Sequence, residues 1–314
     1  MAKLLITGDT GLLGSNLAHA ARRLHQVFGV SRATEAISAS WDHRSIDLTD
    51  GNAALHYLDE TRPEVIVHCA AVTDVERCEM QPAYAHAVNV EATEGLAQWA
   101  EKNGAQFTFV STDSIFDGVA GGYREEDTPR PLNQYARTKL AGEEIVARAC
   151  TNSLIVRTNF YGWNQSGKPN LGKWMHGKLL RGEPLMAFTD VRFNPLFVRD
   201  LAKLILSLIS REAKGVFHVA ARDLCSKYEF ALLLGRAFLL DTRKVESILL
   251  EDFPFQARRP RNTSLTVTKC AKFLGRETPT VEQGVIAFEK TLVMNNSARV
   301  EGVQMQASAA FTPR

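Results

Sequence analysis

The first half of the chain alternates short apolar runs with longer stretches of helical periodicity. The apolar runs predict strands over residues 3–7, 26–31, 64–69, 106–111 and 153–157, and the intervening periodicity predicts helices over 14–24, 82–102 and 133–149. Strands that alternate with helices of this length indicate βαβ units and a parallel sheet. Because the strands are continuously apolar, the sheet is expected to be covered on both faces. We therefore predict an α/β fold of the Rossmann type, with a doubly wound parallel sheet.

The pattern changes after about residue 160. A segment rich in Gly, Asn and Gln follows, and later elements are shorter and interrupted by prolines. We predict a first domain over residues 1–160 and a smaller C-terminal α/β part over 161–292. A strand over 216–219 is expected to rejoin the first sheet. Residues 293–314 lack periodicity and predict a flexible tail.

Composition excludes several classes of function. The net charge is +2, from 37 basic and 35 acidic residues, which gives no electrostatic case for binding nucleic acid or an anionic membrane. The sequence contains no run of 18 apolar residues and no signal-peptide pattern at its start. Five widely spaced cysteines predict reduced thiols and a cytoplasmic protein. The histidines lack metal-ligand spacing, so we predict no metal site.

A glycine-rich turn joins the first predicted strand to the first predicted helix. Its glycines are spaced G-x-x-G-x-x-G, which permits a tight turn, close approach of the backbone to a pyrophosphate and close packing of the helix. The helix N-terminus would add N–H groups and a positive dipole. An ordinary Gly-rich turn is the alternative. The residues predicted to bind a dinucleotide here are Gly8, Thr10, Gly11, Leu12, Leu13 and Gly14.

The end of the second predicted strand indicates which dinucleotide binds. NAD-specific folds place an acidic residue there, on the ribose 2′-hydroxyl. This chain has Ser31 and Arg32 instead, which suit a 2′-phosphate and favour NADPH, with NADH left open. The alternative is that Arg32 is a solvated loop charge. Asp47 and Leu48 follow the expected third strand and are predicted to border the adenine.

A candidate acid–base pair lies on the helix predicted over 133–149. Tyr135 and Lys139 are four residues apart, on one helix face. A nearby ammonium favours the phenolate, so we expect Lys139 to lower the pKa of Tyr135. Thr112 follows a buried strand and should lie at the carboxyl edge of the sheet, where doubly wound folds bind ligands. Its hydroxyl could hold a carbonyl oxygen while Tyr135 protonates it.

These motifs together resemble the extended short-chain dehydrogenase/reductase superfamily, and within it the dTDP-4-dehydrorhamnose reductase family. The most specific segments are Ser-Thr-Asp-x-x-Phe-Asp-Gly at 111–118 and Tyr-x-x-x-Lys-Leu-x-Gly-Glu at 135–143. The glycine turn, the 68–71 stretch and Asn89 also match. The resemblance spans about residues 2 to 290.

The resemblance implies reduction of the 4-keto group of a nucleotide-linked 6-deoxy sugar by NADPH. Thr112 would orient the keto oxygen, Tyr135 would donate the proton, and Lys139 would bind the nicotinamide ribose. Ala70 and Ala71 would border the cofactor, and Asn89 would support the active-site helix. The predicted substrate contacts are Thr112, Asp113, Arg258 and Arg259. A solvated basic face is the alternative for the two arginines.

Two departures leave other functions open. Asn16 stands where some family members carry an acid that binds Mg²⁺, so the resemblance implies no such site. Residues 74–79 resemble a noncatalytic branch, the regulatory β subunit of methionine adenosyltransferase. A cofactor-binding regulatory subunit and a sugar-nucleotide epimerase or dehydratase are therefore alternatives to a reductase, and a homodimer stays open.

Overall fold

The computed structural model describes residues 1–34, 40–163 and 170–291. The predicted tail over 293–314 lies outside these residues, as does most of the Gly/Asn-rich segment. The strands are β1 Lys3–Thr7, β2 Gln26–Ser31, β3 Asp42–Ser45, β4 Val65–His68, β5 Gln106–Thr112, β6 Ser153–Thr158, β7 Phe160–Tyr161, β8 Leu185–Phe188, β9 Arg192–Phe193, β10 Leu196–Phe197, β11 Gly215–His218, β12 Cys225–Ser226 and β13 Val245–Ile248.

The helices connect these strands. They are α1 Leu12–Ala21, α2 Gly51–Thr61, α3 Val75–Met80, α4 Pro82–His86, α5 Ala92–Asn103, α6 Gln134–Ala149, α7 Leu171–Leu180, α8 Val198–Ile209, α9 Lys227–Ala237 and α10 Thr268–Leu274. A π-helical turn, Ala87–Glu91, joins α4 to α5, and residues 281–291 are also helical. None of the helices in the described part of the chain is long and apolar enough to cross a bilayer.

Seven strands form one parallel sheet in the order β11-β6-β5-β4-β1-β2-β3. β1 pairs with β2 on one side and β4 on the other, so the strand order reverses at β1. Ligands of doubly wound folds bind outside the carboxyl ends of the strands at this reversal. The predicted Rossmann-type α/β class is confirmed, and the glycine turn lies at the reversal point.

Apolar side chains cover both faces of the sheet. On one face the core joins β1 and β6 to α1 and α8, and on the other it joins β4 and β5 to α2 and α5. Side chains in β5 and β6 are buried at every position, as a sheet buried on both faces requires. Burial on both faces leaves the carboxyl edge of the sheet as the place for polar chemistry.

The later part of the chain extends the main sheet and also forms separate two-stranded pairs. β11 pairs with β6 and so extends the main sheet, while β7 with β10, β8 with β13 and β9 with β12 form three two-stranded pairs. The division near residue 160 stays a prediction, since the strand at Gly215–His218 belongs to the sheet of the first half.

A buried ion pair joins α6 to the sheet. The Arg157 guanidinium donates from Nη2 to Glu143 Oε2 at 2.8 Å and from Nε to both carboxylate oxygens at 3.0 and 3.1 Å. The exposed fractions of the two side chains are only 6% and 5%. Arg157 also donates to the carbonyl of Glu125 at 3.2 Å. Because each charge compensates the other away from water, α6 is held in one position on β6.

We expect Arg157→Met to lower the free energy of unfolding by about 3–5 kcal/mol, because it leaves the Glu143 carboxylate buried without its partner. The double variant Glu143→Leu/Arg157→Met removes both charges and should recover more than half of that loss. Urea unfolding of the two single variants and the double variant measures the difference. Additive losses in the double variant would contradict this account of the pair.

Candidate active site

The glycine turn has the geometry that the sequence predicts. Gly8 has a φ of +67°, and its carbonyl accepts from the N–H of Gly11 at 2.8 Å. A Cβ on Gly14 would lie 2.2 Å from the Gly8 carbonyl oxygen, so only glycine allows the helix to start so close to the turn. Gly11 is the N-cap of α1 and has no side chain to cap it. The first turn of α1 therefore offers its N–H groups to an anion, and the turn fits a pyrophosphate.

A chain of hydrogen bonds that starts at the end of β1 supports this turn. Thr7 Oγ1 accepts from the backbone N–H groups of Cys69 and Ala70, both at 3.1 Å, so its own hydrogen goes to His68 Nδ1 at 2.7 Å. His68 Nε2 then donates to Thr93 Oγ1 at 3.0 Å. Burial lowers the pKa of His68 to about 3, which keeps the ring neutral, as this arrangement requires.

Asp9 anchors the turn to the neighbouring strands, a role that sequence reasoning missed. Its buried carboxylate accepts from Trp41 Nε1 at 2.9 Å and lies 2.8 Å from His43 Nδ1. A Cβ on Gly29 would lie 2.1 Å from Asp9 Oδ2, which explains a glycine inside β2. The carboxylate is thus held by β2 and β3.

The predicted 2′-phosphate residues lie beside the turn. Ser31 Oγ accepts from Thr10 Oγ1 at 3.0 Å and from the Ala33 N–H at 3.3 Å, so its own hydrogen can be donated to another acceptor. The Arg32 guanidinium donates to the Tyr84 hydroxyl. The structure therefore brings Thr10, Ser31 and Arg32 together at the end of β2.

Asp47 and Leu48 have other contacts. The Asp47 carboxylate accepts from the N–H and the hydroxyl of Thr49 at 3.0 and 2.9 Å. Leu48 is buried in the core that covers β4 and β5. Their predicted place beside the adenine stays a prediction.

The candidate catalytic hydroxyls meet at the carboxyl edge of the sheet. Thr112 ends β5, and Tyr135 lies in the first turn of α6, where Asn133 caps the helix by accepting from the Ala136 N–H at 2.9 Å. The side chain of Thr112 interacts with the Tyr135 phenol and opposes the rise in its pKa. Thr112 Oγ1 also donates to Asp113 Oδ1 at 3.2 Å. A keto oxygen placed between the two hydroxyls could receive a hydrogen bond from Tyr135, and one from Thr112 once the Thr112 hydrogen turns away from Asp113.

The predicted effect of Lys139 on Tyr135 is wrong for this structure. Burial raises the pKa of Tyr135 to about 12, because water no longer stabilises the phenolate. Lys139 is only 3% exposed, its Nζ lies 3.9 Å from the centroid of the Phe109 ring, and burial lowers its pKa to about 8. The ammonium is therefore held over an aromatic face, and desolvation determines the pKa of the phenol.

Asn89 connects α6 to the segment after β4. Its Oδ1 accepts from the Val72 N–H at 2.8 Å, while its Nδ2 donates to Thr138 Oγ1 at 2.9 Å. Asn89 lies in the π-helical turn Ala87–Glu91, which sequence periodicity could not distinguish from an α-helix. Ala70 and Ala71 precede this contact, and Ala70 N lies 3.0 Å from where a Cβ on Gly8 would be.

Asp113 lies at the junction of β5 with the later part of the chain. It is 1% exposed, and its Oδ2 accepts from Thr263 Oγ1 at 2.6 Å and Asn159 Nδ2 at 3.0 Å. Burial raises the pKa of Asp113, while these hydrogen bonds and the charge of Lys227 oppose the shift. Burial also lowers the pKa of Lys227 to about 8. Sequence reasoning missed Lys227, Thr263 and Asn159, since only the fold brings them to Asp113.

The two predicted diphosphate arginines lie near the start of α6. The Arg258 carbonyl accepts from Asn133 Nδ2 at 2.9 Å, and the Arg258 residue is exposed. Arg259 donates to Glu76 at 2.8 Å, and Glu76 also accepts from the Ala257 N–H at 3.2 Å. Glu76 therefore fixes this segment against α3, so the Arg259 charge already has a protein partner.

The metal prediction concerns Asn16. Its amide donates to the carbonyls of Leu12 at 2.8 Å and Trp163 at 3.2 Å, in place of the carboxylate that a cation would need. Within residues 1–34, 40–163 and 170–291, no group of three His, Cys, Asp or Glu residues is arranged to hold a metal ion.

Comparison with known proteins extends the likeness to the whole described chain. The model of the RmlD substrate binding domain matches residues 2–294. A Haloferax volcanii protein named "Probable low-salt glycan biosynthesis reductase Agl14" is 33% identical over 90% of this chain and 96% of its own. Methionine adenosyltransferase 2 subunit beta of Pongo abelii is 32% identical over 88% of this chain and 84% of its own.

A solved structure agrees with the fold. The dTDP-4-dehydrorhamnose reductase of Bacillus anthracis, crystallised in complex with NADP, has a TM-score of 0.83 and 27% identity over 91% of this chain and 98% of its own. The family model covers nearly all of the described chain, and the sequence motifs occupy the expected positions of the fold. The chain therefore belongs to the dTDP-4-dehydrorhamnose reductase family, defined by the RmlD substrate binding domain, within the extended short-chain dehydrogenase/reductase superfamily.

Proposed function

We propose that the protein is an NADPH-dependent reductase of the 4-keto group of a nucleotide-linked 6-deoxy sugar. The observation that carries this proposal is that the Thr112 and Tyr135 side chains meet at the carboxyl edge of the sheet that carries the glycine turn. The named activities of the Haloferax and Bacillus relatives support the same chemistry.

The residues at the reversal point fit a dinucleotide. The glycine turn and the start of α1 would hold the pyrophosphate, and Ser31 with Arg32 would hold the ribose phosphate. Lys139 would bind the nicotinamide ribose through its ammonium. When bound, NADPH supplies the hydride that reduces the keto carbon.

The two hydroxyls have distinct tasks. With its pKa raised to about 12, Tyr135 keeps its proton at neutral pH and can donate it to the keto oxygen as the carbonyl is reduced. Thr112 would hold that oxygen in place. Asp113 accepts the Thr112 hydrogen in this structure and would release it when Thr112 turns to the keto oxygen.

The diphosphate of the nucleotide-linked sugar needs positively charged side chains to bind it, at a distance from the keto carbon that reacts. We assign this role to Arg258, whose carbonyl contacts Asn133 at the start of α6, and to Arg259, which Glu76 holds against α3. The exposed Arg258 is the stronger candidate, because Arg259 is already paired with a carboxylate.

A second candidate function is a cofactor-binding regulatory subunit. The 32% identity to methionine adenosyltransferase 2 subunit beta favours it, together with the likeness at residues 74–79. NADPH binding without turnover of any nucleotide sugar, combined with a stable complex with a methionine adenosyltransferase catalytic subunit, would support it over the reductase.

We expect Tyr135→Phe to lower the rate of NADPH oxidation with dTDP-4-dehydrorhamnose by roughly 10²–10⁴-fold, because it removes the proton donor. Binding of NADPH, followed by its fluorescence, should be retained. The matched control is Tyr57→Phe, which removes a buried hydroxyl that has no hydrogen-bond partner among the described residues. Equal turnover by wild type and Tyr135→Phe would show that Tyr135 is not the donor.

Lys139→Met should abolish reduction yet stabilise the fold at pH 7. Burial lowers the pKa of Lys139 from 10.5 to about 8, so the folded state disfavours its charge. Removing that charge should raise the free energy of unfolding by roughly 2–3 kcal/mol. The gain should be complete below pH 8 and shrink as the pH rises from about 8 to 10.5, where the unfolded lysine also becomes neutral.

Urea unfolding at pH 7 and pH 10 measures this dependence. Lys102→Met, which alters an exposed lysine of α5, is the control. It should change neither the activity nor the pH dependence of the free energy of unfolding. A loss of stability in Lys139→Met at pH 7 would refute the desolvation argument.

A further inference from the structure

The ring of Tyr84 contacts two guanidinium groups from separate segments. Arg32 follows β2, donates to the Tyr84 hydroxyl, and has its Cζ 6.0 Å from the ring centroid. Arg77 lies on α3, with its Cζ 4.8 Å from the same centroid. The Nε of Arg77 donates to Gln81 Oε1 at 3.2 Å, which fixes how the guanidinium lies against the ring. Tyr84 therefore gathers two positive charges.

The carboxylates close to Arg77 along the chain do not pair with its guanidinium group. Asp74 caps α3 by accepting from the backbone N–H of Arg77 at 3.0 Å, and Glu79 accepts from the Gln134 N–H at 2.8 Å. Glu76 pairs with Arg259.

The two guanidinium groups also lack a countercharge among the described residues. Within the ranges 1–34, 40–163 and 170–291, no carboxylate oxygen lies within 4.0 Å of a side-chain nitrogen of Arg32 or Arg77. Two cations placed around one ring repel each other, and an anion bound beside both would relieve that repulsion.

The position of Arg32 and Arg77 in the fold indicates which anion they would bind. Arg32 leaves the carboxyl end of β2 and Arg77 follows β4, on either side of β1 and its glycine turn. Doubly wound folds place the adenosine ribose at the end of β2. Ser31, whose hydroxyl hydrogen can still be donated, adds a neutral donor at the same strand end.

We propose that Arg77, together with Arg32 and oriented by Tyr84, binds the 2′-phosphate of NADPH and gives the protein its preference for NADPH over NADH. The inference rests on the proposed dinucleotide-dependent function and adds to it a specificity-determining residue from α3. A dianion between two guanidinium groups forms charge-assisted hydrogen bonds that a 2′-hydroxyl cannot form.

Calorimetric titration with two cofactor fragments tests this without turnover. Adenosine 2′,5′-bisphosphate carries the 2′-phosphate and AMP lacks it. We expect Arg77→Gln to weaken binding of the bisphosphate by about 10- to 100-fold and to leave AMP unchanged, since one charged hydrogen-bond donor group is lost. Tyr84→Phe should weaken the bisphosphate less, because it frees Arg32 but keeps the ring.

Arg148→Gln is the matched control, because this exposed arginine lies at the far end of α6, next to the amino-terminal edge of the sheet. It should bind both fragments like wild type. Equal affinity of Arg77→Gln and Arg148→Gln for the bisphosphate would overturn the inference while leaving the reductase proposal intact. Wild-type binding of AMP as tight as that of the bisphosphate would also overturn it. Failure of wild type to bind NADPH and NADH would instead refute the proposed function.

Discussion

A buried chain of hydrogen bonds from β1 to α6 determines where the glycine turn and the candidate catalytic residues lie relative to each other. It passes from Thr7 through His68 to Thr93, whose hydroxyl donates to the carbonyl of Asn89 at 2.9 Å. The Asn89 amide then reaches Thr138 on α6. The loss of one member would leave the next group buried and unsatisfied, at a cost of about 1–3 kcal/mol.

The far part of α6 is held by a second polar contact, the pair of Glu143 and Arg157. Glu143 lies one turn after Lys139, and its charge partly opposes the lowering of the lysine pKa. The pair therefore acts on the site in two ways: it fixes the helix that carries Tyr135 and Lys139, and it supplies a negative charge close to a buried ammonium. Together with Asn89, it leaves α6 little freedom to shift against the sheet.

The features that sequence could predict are those that local pattern determines. The strand bounds of β1 and β2, the glycine turn and the Tyr135–Lys139 spacing each depend on a few neighbouring residues. The anchoring role of Asp9 could not be predicted, because its partners Trp41 and His43 lie more than 30 residues away and no local sequence pattern indicates the contact. The pKa of Tyr135 was mispredicted because helix spacing reports the neighbouring charge but not the loss of water.

The stability cost of the site bears on whether the protein is an enzyme or only a binding subunit. Lys139, Lys227 and Asp113 all have pKa values that burial shifts towards the neutral form, so the fold holds three ionisable groups where water cannot stabilise their charge. A subunit that only bound a cofactor and a partner would be more stable with apolar residues in place of Asp113 and Lys227. Chemistry at a keto carbon, in contrast, needs a phenol that keeps its proton, a fixed hydroxyl and a cation beside the ribose. Asp113 accepts from the Thr112 hydroxyl that the proposed reduction would use, whereas Lys139 would serve cofactor binding in either function, so it is the cost at Asp113 that favours the reductase.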